Sequence, residues 1–178
     1  MDAASTSLPD SYRSGFVALI GRPNVGKSTL VNQLVGDKVA ITSPVAQTTR
    51  NRLRAILTTP AAQLILVDTP GIHKPHHLLG ERLVKSARAA IGEVDQVLLL
   101  LEGCELPGRG DAFIVNLLRQ QRLPVQVVLN KWDRVPADRK PEADAAYREL
   151  LEETDWPLHH CSACLLYTSD AADDFDCV

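Results

Sequence analysis

The sequence lacks the features that are typical of strongly basic nucleic-acid-binding proteins, of membrane-spanning proteins and of secreted proteins. Its net charge is −3 at pH 7, so the composition gives no general reason to expect nucleic-acid binding. No apolar run approaches the roughly 20 residues that are needed to span a bilayer. Residues 1–15 lack the basic stretch and the apolar core of a secretory signal. We expect residues 1–14 to form a short, flexible, polar tail.

Cysteine is also scarce. Four cysteines are spread over the 178 residues without resembling a disulfide framework, which predicts a reducing compartment and a cytoplasmic location. His159, His160, Cys161 and Cys164 are too closely spaced for a typical structural zinc site. Cys161 and Cys164 form a Cys-x-x-Cys pair. This pair is weak evidence for a redox site, since it does not lie at the start of a helix that follows a strand. The length allows one domain with a sizeable core.

The clearest motif is a glycine-bounded loop between an apolar run at 16–20 and a helical pattern at 29–35. Such a loop can turn its N–H groups inward around a phosphate, and the helix after it points its positive end at the same place. Lys27 can reach the β- and γ-phosphates of a nucleotide, and the Ser28 hydroxyl can ligate Mg²⁺. The predicted phosphate-binding residues are Gly21, Arg22, Pro23, Asn24, Val25, Gly26, Lys27, Ser28 and Thr29.

Two later strands also end in polar residues. The predicted strand at 63–67 ends at Asp68, where open α/β sheets place their ligands. The strand at 125–129 leads into Asn130, Lys131, Trp132 and Asp133. A carboxylate at Asp133 can accept hydrogen bonds from the ring N1–H and the exocyclic amine of guanine, and adenine has no such pair of donors. A site of this kind can reject the wrong partner by roughly 10⁴–10⁵.

The order of the elements predicts an α/β fold of the P-loop NTPase type, with a mostly parallel sheet and helices on both faces. Further strands are expected at 51–58, 94–101 and 158–161. Further helices are expected at 78–91, 111–121 and 142–153, and a long loop at 38–50.

On the basis of these motifs, the sequence resembles the translation-factor-like GTPases. The amino-acid sequences of the motifs are most similar to those of the Era family. The resemblance covers residues 15–163, predicted to be an Era-type GTPase domain. Its most specific pieces are Ala-Gln-Thr-Thr-Arg at 46–50 and Ile-His-Lys-Pro at 72–75.

The resemblance also implies roles for individual residues. Mg²⁺ would be held by Ser28 and Thr49, with Asp68 acting through a water molecule, and Asn24 suggests an additional potassium ion. Ile72 stands where small signalling GTPases place a water-orienting glutamine, which predicts slow intrinsic hydrolysis. The implied switch residues are Thr48, Thr49, Asp68, Thr69, Pro70, Gly71 and Ile72. The implied guanine-binding residues are Asn130, Lys131, Trp132, Asp133, Ser162 and Ala163, with the Ala163 amide donating to the guanine carbonyl oxygen.

For function, the resemblance implies a switch that hydrolyses GTP to GDP during assembly of the small ribosomal subunit, with 16S rRNA as partner. Peripheral membrane association is a further property of the family. Residues 164–178 do not match and lack the Gly-x-x-Gly loop of an RNA-binding KH module. We expect the chain to be truncated before such a module and these residues to be a frame-shifted or foreign tail. The final helix of the family would then be missing and would leave one side of the sheet partly uncovered, which predicts marginal stability of the domain or association through an exposed apolar patch.

Three alternatives remain at the level of sequence. The chain could be the GTPase domain of a tRNA-modification or other ribosome-assembly relative. It could be a non-functional fragment that binds no nucleotide. It could be an ATP-using P-loop protein, although Asp133 argues against adenine.

Overall fold

The computed structural model describes residues 12–36, 53–69 and 91–165, with the backbone alone at 53, 54 and 68. The predicted loop at 38–50, nearly all of the predicted helix at 78–91 and the tail beyond 165 lie outside these ranges. Among the described residues, no helix is long and apolar enough to cross a membrane.

Six strands form one sheet in the order β2-β3-β1-β4-β5-β6. All neighbours are parallel except β2 and β3, which pair antiparallel. The mostly parallel sheet predicted from the alternation of strand and helix patterns is therefore confirmed. The strands are β1 (Arg13–Gly21), β2 (Leu53–Thr58), β3 (Ala62–Asp68), β4 (Gln96–Glu102), β5 (Val125–Asn130) and β6 (Leu158–His160).

Three described α-helices flank the sheet. They are α1 (Lys27–Val35), α2 (Arg109–Arg119) and α3 (Lys140–Leu151), and two 3₁₀ turns (Trp132–Arg134 and Ala137–Arg139) lie between β5 and α3. Alternate residues of β1 point to opposite faces. Leu19 packs with Leu30 and Val31 of α1, whereas Ile20 packs with residues of α2 and α3. Helices therefore cover both faces, as predicted.

Two helix boundaries differ from the sequence-based expectation. The helix predicted at 111–121 spans Arg109–Arg119, because the Asp111 carboxylate accepts a hydrogen bond from the Gly108 amide at 2.9 Å and fixes the first turn. The helix predicted at 142–153 begins at Lys140, with Pro141 in its first turn, where proline is tolerated.

Candidate nucleotide site

The glycine-bounded loop lies at the carboxyl end of β1, in the middle of the sheet. Gly21 is paired with Leu100 of β4, and a Cβ atom on Gly21 would lie 2.4 Å from the Leu100 carbonyl oxygen. The loop therefore leaves the sheet at a point where only glycine fits. Asn24 and Gly26 have left-handed backbones, with φ of 64° and 102°. These angles turn the loop back on itself just before α1 begins.

Lys27 is the buried centre of this loop, with 6% of its surface exposed. Its ammonium group donates to the carbonyl oxygens of Gly21 at 3.1 Å and Arg22 at 2.7 Å. A buried ammonium needs such partners. The side chain thus lies along the inside of the loop, within the turn that the sequence predicts as a phosphate cradle.

Arg22 anchors the loop to α2 through Asp111, a contact that the sequence motifs do not predict. Its guanidinium pairs with Glu105 at 3.1 Å and with the fully buried Asp111, whose Oδ1 lies 2.9 Å from Nε. That last contact is an ion pair rather than an aligned hydrogen bond. Partial burial alone would lower the pKa of Arg22, but the charges of Asp111 and Glu105 outweigh it and raise that pKa. The arginine is therefore held as a cation.

Tyr147 of α3 fixes the segment that carries Glu105. Its side chain is fully buried, and its hydroxyl donates to the carbonyl oxygens of Glu102 at 2.8 Å and Glu105 at 3.2 Å. Burial, with the nearby negative charge of Asp111, raises the pKa of this phenol, so it stays a donor. The only sequence signal for these contacts is Asp111, which follows Gly108 and Gly110 at the start of a helix.

Asn130 connects three segments of the site. It is 2% exposed, its Nδ2 donates to the Val25 carbonyl oxygen at 2.8 Å, and its Oδ1 accepts from the Ala163 amide at 2.9 Å. The structure thus brings together the phosphate loop, the end of β5 and the Ser162-Ala163 segment. The resemblance implies that the Ala163 amide donates to guanine, and that role stays a prediction. In this structure the amide donates to Asn130, whose buried oxygen requires a donor.

The turn after β5 presents the remaining predicted base-binding residues. Lys131 has a left-handed backbone (φ 61°), and its ammonium pairs with Glu102. The amide of Trp132 donates to the Cys161 carbonyl oxygen at 3.0 Å, and the amide of Asp133 donates to Ser162 Oγ at 3.0 Å. The Asp133 carboxylate is exposed, and no hydrogen bond to it was found within the described ranges. Its exposure makes the carboxylate accessible from solvent.

Of the predicted switch residues, only the backbone of Asp68 and the whole of Thr69 are described. Asp68 ends β3 beside Leu19 of β1, so it lies at the same sheet edge as the phosphate loop. Thr69 is fully buried, and its hydroxyl donates to the Leu19 carbonyl oxygen at 2.6 Å. Its side chain therefore anchors the strand end. Outside the described residues lie Thr48, Thr49, Pro70, Gly71 and Ile72.

His159 and His160, which lie beside Cys161 in the sequence, each have a side-chain partner other than a metal ion. His159 Nε2 lies 2.8 Å from Gln126 Oε1, and His160 Nε2 lies 2.8 Å from Asp144 Oδ1. The ring of His160 also stacks on the ring of Trp132. Trp132 packs against the core cluster on the α2 and α3 side.

Comparisons with known proteins agree with this geometry. The family model for 50S ribosome-binding GTPases matches residues 16–131. GTPase Era of Synechocystis is 59% identical over 161 residues, which is 90% of this chain and 51% of that protein. A crystal structure of Era in complex with MgGDPNP and nucleotides 1506–1542 of 16S ribosomal RNA is 37% identical, with a TM-score of 0.76 over 84% of this chain and 51% of that one.

A structure of Aquifex aeolicus Era bound to GDP and AlF4⁻ is likewise 37% identical, with a TM-score of 0.75, and the match covers 84% of this chain and 51% of that one. The chain spans about half the length of these relatives. The match of the family model includes both the phosphate loop and the start of the Asn130 turn. The chain therefore belongs to the 50S ribosome-binding GTPase family, and the resemblance to Era that its motifs indicate is confirmed.

Proposed function

We propose that this chain binds GTP and hydrolyses it to GDP, and that the two nucleotide states switch its conformation. The observation that carries the proposal is the Asn130 junction, in which one buried side chain joins the phosphate loop to the predicted base-binding segments. A nucleotide has a phosphate end and a base end. A protein that couples the two sites through a shared hydrogen-bonded residue is suited to hold both ends at once.

The phosphate end is served by the loop and by Lys27. The ammonium group now bonds to two carbonyl oxygens, and it can exchange them for phosphate oxygens without leaving a buried charge unpaired. The amides at the start of α1 add the positive end of a helix. These groups stabilise charge that develops on the phosphates during transfer.

The base end is served by Asp133 and Lys131. The exposed Asp133 carboxylate can accept from the N1–H and the 2-amine of guanine together. The Lys131 stem is proposed to cover the face of the base, with its ammonium held by Glu102. Ser162 keeps the turn in place through the Asp133 amide.

The donor set fits a magnesium ion. Ser28 lies at the first turn of α1 beside the Lys27 cradle, and its hydroxyl is a hard oxygen ligand of the kind Mg²⁺ prefers. We propose Ser28 as one ligand, with Thr49 and Asp68 following from the resemblance. When bound, the ion neutralises phosphate charge. A potassium ion near Asn24 is a separate proposal from the same resemblance.

Hydrolysis is proposed to be slow. At position 72 the chain has an isoleucine, which cannot orient an attacking water as a glutamine can. The rate would then depend on positioning and charge stabilisation by the residues around the phosphates.

The biological setting is also a proposal. Era in the solved complex binds a piece of 16S ribosomal RNA, and we propose that this chain acts as the GTPase unit of a protein that assembles the small ribosomal subunit. Residues 15–163 would be that unit, preceded by a tail at 1–14 and followed by a non-matching segment at 164–178. A cytoplasmic location and peripheral membrane association remain predictions from the sequence and the family resemblance.

The test is a titration of the chain with fluorescent GDP in magnesium buffer, followed by a chase with unlabelled GTP or ATP. Saturable binding that GTP displaces and ATP does not is the expected result. Phosphate release measured in potassium and in sodium buffers then tests hydrolysis, and equal rates would refute the potassium proposal. Absence of GDP binding would contradict the proposed function.

A further inference from the structure

We infer that His160 is a positioning residue for guanine recognition, because its ring fixes Trp132 and thereby the turn that carries Asp133. The inference rests on the proposed guanine site. It concerns a residue outside the nucleotide-binding motifs, on the strand that the sequence predicts at 158–161.

The indole of Trp132 is held between two neighbours. On one side the imidazole of His160 stacks on it, with ring centroids 4.1 Å apart and planes inclined by 27°. On another side lies Gly103, where an added Cβ atom would come within 2.9 Å of Trp132 Cε3. The indole therefore has little room to move, and its position is set by both contacts.

Helix α3 holds the imidazole in turn. His160 Nε2 lies 2.8 Å from Asp144 Oδ1, and Asp144 Oδ2 accepts from Arg148 Nε at 2.6 Å. Lys140 of the same helix places its ammonium 5.8 Å from the centre of the indole ring. The stack is thus tied to a rigid element rather than to the loop that it supports.

The turn is a single 3₁₀ turn, Trp132–Arg134, with no buried residue. The stack adds to the hydrogen bond from the Trp132 amide to the Cys161 carbonyl oxygen and to the packing of Trp132 against the core cluster. The Asp133 amide bonds to Ser162 Oγ at an exposed position. A carboxylate must be placed accurately to meet two donors on one base. The Trp132 ring, adjacent in sequence to Asp133, is the part of the turn that the stack immobilises.

The test compares affinities for GDP and inosine diphosphate, whose base lacks the 2-amine. A hydrogen bond from that amine to a carboxylate gives the unaltered chain a preference for GDP of roughly tenfold to a hundredfold. We expect His160→Ala to reduce this preference to about threefold or less. His160→Gln, which keeps a polar group but no ring, should behave similarly. His160→Phe, which keeps the ring, should retain the preference within about twofold.

The matched control is His159→Ala. His159 lies on the same strand, bonds to Gln126, and should leave the preference unchanged. A general loss of folding would weaken both nucleotides equally, so the ratio isolates positioning from stability. If His160→Ala fails to fold, Gly103→Ala provides a second variant, since its methyl group would come within 2.9 Å of the indole Cε3 and 3.2 Å of the Asn130 carbonyl oxygen and would displace the indole. It should lower the ratio in the same way.

An unchanged ratio in folded His160→Ala or His160→Gln would overturn the inference. So would an equal loss of preference in His160→Phe, because that would place the effect in the Asp144 hydrogen bond rather than in the stack. Asp133→Asn separates this failure from failure of the proposed function. If Asp133→Asn loses the GDP preference while His160→Ala keeps it, the result supports the guanine site and contradicts the positioning role of His160.

Discussion

The side-chain amide of Asn130 donates to the carbonyl oxygen of Val25 at 2.8 Å, and this hydrogen bond joins the end of β5 to the phosphate loop at the end of β1. Both residues are buried, with 2% of Asn130 and none of Val25 exposed. A hydrogen bond in such a place is costly to break, because the group left behind has no water to replace its partner. The shape of the loop therefore depends on a residue from a separate motif.

Replacing Asn130 with alanine removes this bond and the one from the Ala163 amide. Each of the two buried groups left unpaired costs about 1–3 kcal/mol, so we expect the free energy of unfolding to fall by roughly 2–6 kcal/mol. Urea unfolding measures the change. Asn116→Ala is the control, because Asn116 is exposed and contacts Arg119 only at 3.5 Å. A loss of unfolding free energy below about 1 kcal/mol for Asn130→Ala would contradict the claim that the two hydrogen bonds of Asn130 stabilise the protein.

Gly26 and Gly36 form a second test, since both have left-handed backbones, with φ of 102° and 79°. A methyl group on Gly26 would lie 2.2 Å from Asn130 Nδ2, whereas Gly36 has open space. Gly36→Ala should cost about 1–2 kcal/mol of backbone strain. Gly26→Ala should cost at least twice as much and abolish GDP binding. Equal losses of unfolding free energy in the two variants would show that the steric contact is unimportant.

Asp111 is predicted to stabilise the phosphate loop through Arg22. Its replacement by alanine removes both the acceptor for the Gly108 amide and the buried partner of Arg22. We expect a loss of about 2 kcal/mol or more in unfolding free energy, with weaker GDP binding. Glu142→Ala removes an exposed pair with Arg139 at 3.6 Å and should cost less than about 1 kcal/mol. Similar losses of unfolding free energy in the two variants would argue against a stabilising role for the contact between Asp111 and Arg22.

The Asp144 carboxyl makes a prediction about pH. Burial alone would raise its pKa, but hydrogen bonds with Arg148 and His160 outweigh burial and lower the pKa below its ordinary value of 3.8. A carboxyl with a depressed folded-state pKa stabilises the fold above its unfolded pKa, and this contribution is lost as the pH falls through the folded pKa.

The chain should therefore be more stable than its Asp144→Asn variant at pH 6, and the difference should shrink as the pH falls below about 4. Urea unfolding of both proteins from pH 6 to pH 3 measures this. A difference that is constant over that range, or that grows toward acid, would contradict the assigned direction.

The sequence predicts β3 and β5 well because each contains an apolar run ended by a polar motif. Asp68 and Asn130 are expected at strand ends, and the structure places both there. The contacts of Arg22 with Asp111 and of Trp132 with His160 could not be predicted, since they join residues far apart along the chain. The start of α2 is not predicted because two glycines suggest a loop, whereas a hydrogen bond from the Gly108 amide to the Asp111 carboxylate begins the helix at Arg109.

The measurement that tests the account most directly is the relative affinity of the chain and its Asp133→Asn variant for GDP and xanthosine diphosphate. Xanthine presents a carbonyl where guanine has its amine, so an asparagine amide can donate where the carboxylate accepted. We predict that the unaltered chain prefers GDP and that the variant prefers xanthosine diphosphate. If both proteins prefer the same nucleotide, or if neither binds, Asp133 does not read the base and the proposed guanine site is wrong.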